Sequence, residues 1–561
     1  MPRMRPLAYT LTIGSLLAAF SSASDSPTVT VKNGSYYGVY QDTYDQDLFL
    51  GMPYAQPPVG DLRFRNPEPL NSTWSDSKNA TEYSPECYGY GSDQWVLGNV
   101  ISEDCLTINV VRPSGVAEDA KLPVGFWIHG GGYYEGGNRD PRYNFSSIIN
   151  EATQAGKPFI GVSINYRLDG FGFMWGSAVK EAGVANLGLK DQRLALHWVQ
   201  ENIAAFGGDP DKVTIWGESA GAGSVGSQLV AFGGRDDGLF RGGILQSGAP
   251  ASALSSYTNA STFDVYYKNI TDATNCSSVT DTLDCLRQVP VSELSAIFNS
   301  SVSSSAPFSP TVDGDFIPEA TAVLLSEGKF VHVPVLLGAN HDEGTAFGSR
   351  GVNTTEQFLA YLFSRTSREE SAAALADLYP DIPEIGIPGT LHGHPGNDTA
   401  YGAMYKRVCA YAGDRSMHAP RRYAAEAWAA NNVTSYSYVF NVLVNGLTQY
   451  TGATHFQEVA FVFYNLDGNG YENAVSVNPF KSEPETFSQL ARMMTRMWTS
   501  FIVDQTPNNN GVANVTWPEY TLDNPQNIVF DVNVTDLAYI EPDIYRAEAI
   551  AFINNALTAT D

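Results

Sequence analysis

The sequence has few basic residues for its length. It carries 33 lysine and arginine residues against 60 aspartate and glutamate residues, so its formal net charge is −27 at pH 7. A chain with this excess of negative charge is repelled by phosphate backbones and by anionic lipid surfaces. The charge balance therefore argues against nucleic acids and anionic membranes as partners.

Long apolar runs are also missing after the first 23 residues. No later run approaches the ~18 residues that a membrane-spanning helix needs. At the start of the chain, Arg3 and Arg5 precede a short apolar stretch over 7–20, and small residues follow it. This is the pattern of a secretory signal peptide. We therefore expect a signal peptide over 1–23, and over 24–561 a single secreted domain without stable membrane anchoring.

Cysteine is scarce, with five residues in the whole chain. In a secreted protein we expect two disulfides and one free thiol. Four cysteines allow three pairings, of which the simplest joins neighbours in the sequence, Cys87 with Cys105 and Cys276 with Cys285. Cys409 is then left as a small buried apolar residue in a helix.

Asparagine sequons, in contrast, are frequent, and their density is typical of a glycosylated secreted protein. They begin at Asn33, Asn71, Asn79, Asn144, Asn259, Asn269, Asn275, Asn299, Asn353, Asn397, Asn432, Asn514 and Asn533.

Recognised spacings of metal ligands or phosphate-binding residues are missing too. His392-Gly393-His394 has no acidic or cysteine partner at a suitable spacing, so a turn is the better interpretation. The segment 465–470 resembles the start of a calcium loop, but its twelfth position is Ser476 instead of glutamate. We expect neither a metal nor a cofactor.

Strand and helix patterns alternate through the middle of the chain. Near-continuous apolar runs over 124–129 and 159–164 are typical of strands buried on both faces. Apolar residues at helical spacing follow over 191–206. This alternation predicts a large, mostly parallel sheet with helices on both faces. Further strands are expected at 213–216, 243–246, 333–337 and 436–444, mostly helical structure at 350–432, and a helix at 488–503.

The strand expected at 213–216 runs into Gly217-Glu218-Ser219-Ala220-Gly221, a G-x-S-x-G sequence followed by small residues. Strand, sharp turn and helix in this order form a nucleophile elbow, in which the serine stands above the sheet. A second Gly-rich segment, Gly130-Gly131-Gly132, follows another expected strand. No G-K-[ST] follows it, so an oxyanion hole is a better interpretation than a phosphate loop.

A nucleophilic serine needs a histidine base and a carboxylate that orients it. In the α/β-hydrolase order these follow the serine as acid and then histidine. His455 is well placed, because it lies in the loop after the late strand. Asp342 and Glu343 both follow the strand at 333–337, and from the residues alone either is a candidate for the acid.

Together these segments resemble the type-B carboxylesterase/lipase family, which includes cholinesterases and secreted fungal lipases. The resemblance covers most of the chain beyond residue 23. It implies Ser219 as nucleophile, Glu343 as acid and His455 as base. It also implies the amides of Gly131, Gly132 and Ala220 as oxyanion hole, Ser247 and Glu458 as supporting groups around the triad, and the local disulfide pairing. The motifs that carry it are 51–55, Pro57-Pro58, 62–64, 102–106, 130–132, 165–168, 206–210, 217–221, 245–248 and 342–344.

Three features of the sequence bear on the substrate. Only 17 residues lie between Cys87 and Cys105, a short flap for the family's lipases. Trp95 stands ten residues before Cys105, where cholinesterases carry the tryptophan that binds choline, although packing of the loop is the simpler interpretation. The small residues at 303–306, before Phe308, lie where cholinesterases have acyl-pocket aromatics, which suggests room for a larger acyl group.

We therefore expect a secreted serine carboxylesterase of the α/β-hydrolase fold that acts through an acyl-enzyme on short- to medium-chain or bulky carboxylic esters. Its partner is a small-molecule ester, and its oligomeric state is left open. The alternatives are a lipase acting on long-chain glycerides, a cholinesterase-like esterase, and a catalytically inactive adhesion protein.

Overall fold

The fold is centred on an eleven-stranded sheet in a computed structural model. The structure describes residues 26–96, 98–250, 259–303, 306–396, 400–472 and 477–558, so the expected signal peptide lies outside the described residues. The strands are β1 Thr28–Val31, β2 Gly34–Tyr37, β3 Val39–Gln41, β4 Gln46–Pro53, β5 Lys78–Asn79, β6 Glu86–Cys87, β7 Ile101–Ser102, β8 Thr107–Pro113, β9 Leu122–Ile128, β10 Ile160–Ile164, β11 Gly208–Glu218, β12 Gly242–Gln246, β13 Val335–Asn340, β14 Ser435–Phe440, β15 Gln526–Phe530 and β16 Ala538–Pro542.

The large sheet is mostly parallel, as the sequence predicts. Its strand order is β16-β15-β14-β13-β12-β11-β9-β10-β8-β4-β3. All neighbouring pairs from β15 to β10 are parallel, whereas β8, β4, β3 and β16 join antiparallel at the edges. The predicted α/β-hydrolase class is thus confirmed.

Helices cover both faces of this sheet. They are α1 Ser92–Val96, α2 Phe145–Gln154, α3 Asp169–Phe173, α4 Ser177–Glu181, α5 Leu187–Asn202, α6 Ala220–Gly234, α7 Asp264–Ala273, α8 Thr282–Gln288, α9 Val291–Phe298, α10 Thr321–Ser326, α11 Gly344–Phe347, α12 Thr355–Thr366, α13 Glu369–Leu378, α14 Tyr405–Gly413, α15 Ala419–Ala430, α16 Val459–Val462, α17 Glu485–Asp504 and α18 Ala547–Thr558. A π-helix, Asp414–His418, joins α14 to α15. Among the described residues, the structure contains no helix of the length and hydropathy that a membrane span requires.

Alternating side chains of the central strands pack into two separate hydrophobic cores, one on each face of the sheet. Phe126 of β9 and Ile215 of β11 belong to the core beneath α5 and α6. Trp127 and Trp216, the next residues along the same strands, belong to the core beneath α2 and α17, with ring centroids 4.9 Å apart. Burial on both faces explains why these strands are apolar throughout.

The observed elements agree with the expected ones except at their ends. The late strand expected over 436–444 ends at Phe440. Beyond it the chain turns away into a loop that carries His455 and then α16. The apolar residues Val442 and Val444 are buried in a core while lying outside a strand, which is why hydrophobicity alone overextends the prediction.

Both predicted disulfides are present, Cys87 with Cys105 and Cys276 with Cys285. Cys409 is free and buried in α14. Burial raises the pKa of its thiol to about 12, so it stays protonated and unreactive at neutral pH.

We expect each disulfide to stabilise the fold through the loop it closes. The two links span 18 and 9 positions, which in the chain-entropy account corresponds to about 3 kcal/mol for Cys87–Cys105 and slightly less for Cys276–Cys285. Denaturant unfolding of the two double-alanine variants measures both losses. Cys409→Ala is the matched control, since it removes a sulfur without opening a loop. Equal stability of all three variants would contradict the expectation.

Candidate active site

Ser219 occupies a sharp turn between β11 and α6. Its backbone has φ 56° and ψ −122°, a strained conformation for a residue with a side chain. The turn is possible because two glycines flank it. A Cβ on Gly217 would lie 2.4 Å from the carbonyl carbon of Gly221, and a Cβ on Gly221 would lie 2.0 Å from the Ile128 oxygen. The elbow expected from G-x-S-x-G is therefore present in the backbone.

A chain of hydrogen bonds joins Ser219, His455 and Glu343. The serine Oγ lies 2.8 Å from His455 Nε2, and His455 Nδ1 lies 2.7 Å from Glu343 Oε2. Glu343 is fully buried, and the His455 side chain is 16% exposed. The three residues come from loops after β11, β13 and β14, strands that end at the same edge of the sheet.

The two neighbouring carboxylates after β13 face different partners. Besides His455, Glu343 accepts hydrogen bonds at Oε1 from the Ser247 hydroxyl at 2.5 Å and from the Asn340 amide at 2.8 Å. Asp342 instead bonds His341 Nδ1 at 2.8 Å and the Ala453 amide at 2.8 Å. Asp342 thus anchors the loop that carries His455 but does not contact the His455 imidazole.

The Gly-rich loop after β9 lies beside the serine. Gly131 and Gly132 have φ values of +96° and +62°, in the region that favours glycine. Gly132 and Ala220 line the same cavity as Ser219, and Ala220 is the first residue of α6. The positive end of that helix points its free amides towards the serine.

The two supporting residues expected around the triad differ in how close they lie. Ser247 contacts Glu343 directly. Glu458 reaches the triad through Asn340, whose side-chain amide donates to its carboxylate at 2.7 Å, and the side-chain amide of Gln246 donates to it at 3.0 Å. Sequence reasoning missed Asn340 and Gln246. Their signal is position, because each is the last residue of a strand that ends at this site.

Glu218 is a further residue that sequence reasoning did not single out, although it is the variable position of the G-x-S-x-G motif. Its buried Oε1 lies 3.3 Å from His455 Nε2. Burial raises the pKa of Glu218 well above its ordinary range, which favours the neutral acid at neutral pH. Burial and the neighbouring Glu343 charge also raise the pKa of Glu458.

Glu343 differs from these two carboxyl groups in the direction of its pKa shift. Burial opposes its ionisation, but the positive charge of His455 and several hydrogen bonds lower its pKa. Burial also disfavours protonation of His455, but the Glu343 carboxylate outweighs it and raises the pKa of His455. Carboxyl groups whose pKa values are shifted in opposite directions are typical of catalytic sites.

Ser219 opens into a cavity of about 460 Å³, a size that suits a small organic ligand. Phe347 lines it and packs edge-on against the His455 ring at 5.0 Å. Residues of α12 and of the π-helix form a further part of the wall. Ser303 donates to the carbonyl oxygens of Ile297 and Phe298, and neither Ser303 nor residues 306–308 line the cavity.

Several other predictions concern side chains away from this geometry. The Trp95 side chain and residues Ser304 and Ser305 lie outside the described residues. Within the described part of the chain, no group of three or more His, Cys, Asp or Glu side chains is arranged to hold a metal ion.

The sheet, the elbow and the Ser–His–Glu hydrogen-bond chain define an α/β-hydrolase. Comparison with known proteins gives the family: residues 25–546 match the model of the carboxylesterase family. The chain belongs to this family and is a carboxylic ester hydrolase. The family membership predicted from the sequence motifs is confirmed, and the inactive adhesion protein is set aside.

Similar proteins include both lipases and esterases. Lipase 2 of Geotrichum candidum is 34% identical, with 90% of this chain and 91% of that protein covered. The secreted triacylglycerol lipase LIP1 of Gibberella zeae is 35% identical (88% and 84% covered). Acetylcholinesterase of Bungarus fasciatus is 31% identical (99% and 91% covered). Among solved structures, EstA of Aspergillus niger superposes with a TM-score of 0.79 at 29% identity, with 94% of this chain and 98% of that chain covered.

Proposed function

We propose that this protein is a secreted serine esterase that cleaves soluble short- to medium-chain or bulky carboxylic esters through an acyl-enzyme. The observation that carries the proposal is the unbroken hydrogen-bond chain from Ser219 through His455 to the buried Glu343, with Ser219 opening into a ligand-sized cavity.

The chemistry follows from the positions of these groups. His455 Nε2 takes the proton of Ser219 as Oγ attacks the ester carbonyl, and Glu343 stabilises the imidazolium. The negative carbonyl oxygen accepts hydrogen bonds from the amides of Gly131, Gly132 and Ala220. His455 then gives its proton to the leaving alcohol. Water enters, loses a proton to His455 and attacks the acyl-enzyme, and the acid leaves as Ser219 regains its proton.

The flap between Cys87 and Cys105 supports an esterase over a lipase. Interfacial activation needs a lid that swings away from the site. Here α1 of the flap is tied to the segment 134–142: the Asp93 amide donates to Glu135 at 2.9 Å, Asp93 pairs with Arg142 at 2.5 Å, and Gln94 accepts from the Gly136 amide at 2.8 Å. Breaking these partly buried contacts opposes a large swing.

We expect hyperbolic kinetics on soluble esters, with no jump in rate when the substrate passes its solubility limit. The physical reason is that a flap that stays in place transfers no apolar surface from protein to oil, a transfer that would be worth roughly 25 cal/mol per Å². The measurement is a rate series on p-nitrophenyl esters of graded chain length beside emulsified triolein.

The lipase alternative rests on the relatives from Geotrichum candidum and Gibberella zeae, which are named lipases. A clear jump in rate at the solubility limit, together with preference for triolein, would establish it in place of the esterase. Preference for choline esters over neutral esters of equal size would instead favour the cholinesterase-like alternative, towards which the snake acetylcholinesterase points.

Secretion is supported by the two disulfides, by the secreted relative from Gibberella zeae and by the sequons. None of the sequon asparagines that the structure describes is buried, so each is open to glycosylation. We expect the mature protein in the culture medium to begin just after residue 23, and to lose mass on treatment with an N-glycosidase. Amino-terminal sequencing and mass spectrometry check both, and an intracellular product that retains residues 1–23 would contradict secretion.

A further inference from the structure

The wall of the Ser219 cavity contains two arginines without acidic partners. Arg365 on α12 and Arg415 on the π-helix both line this cavity. Neither forms an ion pair with a carboxylate of the described residues, although the chain carries 60 acidic residues. Elsewhere in the described chain, arginines such as Arg167 and Arg421 pair with carboxylates, Arg167 with Asp191 at 2.6 Å and Arg421 with Asp543 at 2.7 Å.

The charges of both guanidiniums affect the same side chain, that of Tyr361. The Arg365 guanidinium lies 5.4 Å from the centre of the Tyr361 ring, which also lines the cavity. Burial raises the pKa of Tyr361, while the positive charges of Arg365 and Arg415 oppose this rise. Burial likewise raises the pKa of Tyr411, and the positive charges of the same two arginines oppose this rise. Two permanent positive charges therefore share one side of the cavity, with no described carboxylate paired to either.

The position of Arg415 depends on the π-helix. A π-helix widens one turn and changes which side chains face a given side, and such turns occur frequently at functional sites. The preceding helix α14 is fixed against α11, because a Cβ on Gly344 would lie 1.8 Å from the Cys409 carbonyl oxygen. Since Gly344 directly follows Glu343, this contact packs the helix that leads to Arg415 against the segment that carries the triad acid.

We propose that the arginine pair, Arg365 and Arg415, binds an anionic group carried by the substrate at a distance from the ester bond. This inference rests on the proposed esterase function and names its substrate class: carboxylic esters with a second, ionised carboxylate. Guanidinium groups match carboxylates in geometry and charge. A long apolar acyl chain is a poor fit, because it would displace water from two unpaired charges.

The test compares charged and neutral esters of matched length. In one arm the carboxylate is on the acyl side, with monoethyl glutarate, adipate and suberate against their diethyl esters. In the other it is on the alcohol side, with the butanoate of 6-hydroxyhexanoate against hexyl butanoate. The ratio of kcat/KM for the anionic ester to kcat/KM for the neutral ester is the readout, and the arm with the larger ratio identifies the side.

We expect Arg365→Gln and Arg415→Gln each to lower this ratio about tenfold or more, as loss of a charged hydrogen bond implies, and the double variant to lower it further. Arg365 is exposed, so its replacement is compatible with folding even if that of Arg415 is not. Arg350→Gln is the matched control, because Arg350 also lies over a tyrosine ring, that of Tyr401, but does not line the cavity. High salt should reduce the wild-type ratio.

An unchanged ratio in the double variant, or an equal loss in Arg350→Gln, would overturn the anionic subsite. The proposed function fails separately. It falls if the wild type does not hydrolyse neutral butanoate esters, or if Ser219→Ala hydrolyses them as fast as the wild type.

Discussion

Replacement of Ser219 by alanine should leave a folded protein whose ester hydrolysis falls on the order of 10⁶-fold, as when the nucleophile of a serine hydrolase is removed. Without Oγ, no acyl-enzyme forms, and His455 has no hydroxyl to deprotonate. The fold should persist because Ser219 Oγ bonds only His455 among the described residues. Rates on p-nitrophenyl butanoate, with circular dichroism as the folding check, measure the effect.

Ser227 on α6, the helix that follows Ser219, serves as the matched control. Ser227 donates its hydroxyl to the Gly223 carbonyl oxygen at 2.9 Å and does not line the cavity. Ser227→Ala should therefore keep near-normal turnover and label with a fluorophosphonate probe, whereas Ser219→Ala should not label. Since the triad works as a unit, His455→Ala should be as severe as Ser219→Ala. Unchanged labelling of Ser219→Ala would refute the nucleophile.

The sequence was most informative where a backbone requirement leaves few residue choices. Gly217 and Gly221 must lack a Cβ because backbone atoms lie within 2.4 Å of where it would be, so the elbow is visible as a motif. Buried parallel strands are likewise visible as continuous apolar runs. The order of strand ends along the sheet then brings Ser219, Glu343 and His455 together.

Other features of the site depend on contacts between distant segments. Nothing local marks Arg415 as a cavity residue, because its placement depends on a π-helix and on the packing of α14 against α11. Glu218 occupies a motif position that tolerates many residues, and its closeness to His455 exists only in the folded chain. The room for a larger acyl group expected from the small residues at 303–306 likewise depends on the folded chain, in which Ser303 and Phe308 contact α9.

Amide substitution distinguishes Glu343 from Asp342 as the acid of the triad. Glu343 Oε1 accepts two hydrogen bonds, from Ser247 and Asn340. In Glu343→Gln the side-chain oxygen must take the place of Oε1, because only an oxygen can accept these two hydrogen bonds. The NH₂ group therefore turns towards His455 Nδ1. Nδ1 must then act as acceptor, the proton moves to Nε2, and Nε2 can no longer take the proton of Ser219. We expect turnover to fall about 10⁴-fold, as when the triad acid of a serine protease is amidated.

Asp342→Asn should behave differently, because Asp342 supports the loop that carries His455 and does not contact the His455 imidazole. Loss of the charged contact to His341 should cost stability, about 1–3 kcal/mol, while turnover stays within about tenfold of the wild type. The two carboxylates are adjacent and both buried, so each variant is the matched control of the other. Equal or reversed effects on turnover would mean that Asp342 is the acid.

The pH dependence of kcat/KM distinguishes the role of Glu343 from that of Asp342, whatever the size of the rate loss. His455 must be neutral to accept the serine proton, so kcat/KM falls as pH drops through its pKa. The Glu343 carboxylate raises that pKa above its ordinary value, which places the acid limb of the wild type higher than an unperturbed histidine would. Glu343→Gln removes the charge, so the limb of its residual activity should move to lower pH. In Asp342→Asn the limb should stay where it is, because the Asp342 carboxylate bonds His341, Ala453 and Gly389 and none of the atoms of His455. A shift of the limb in Asp342→Asn but not in Glu343→Gln would reassign the triad acid.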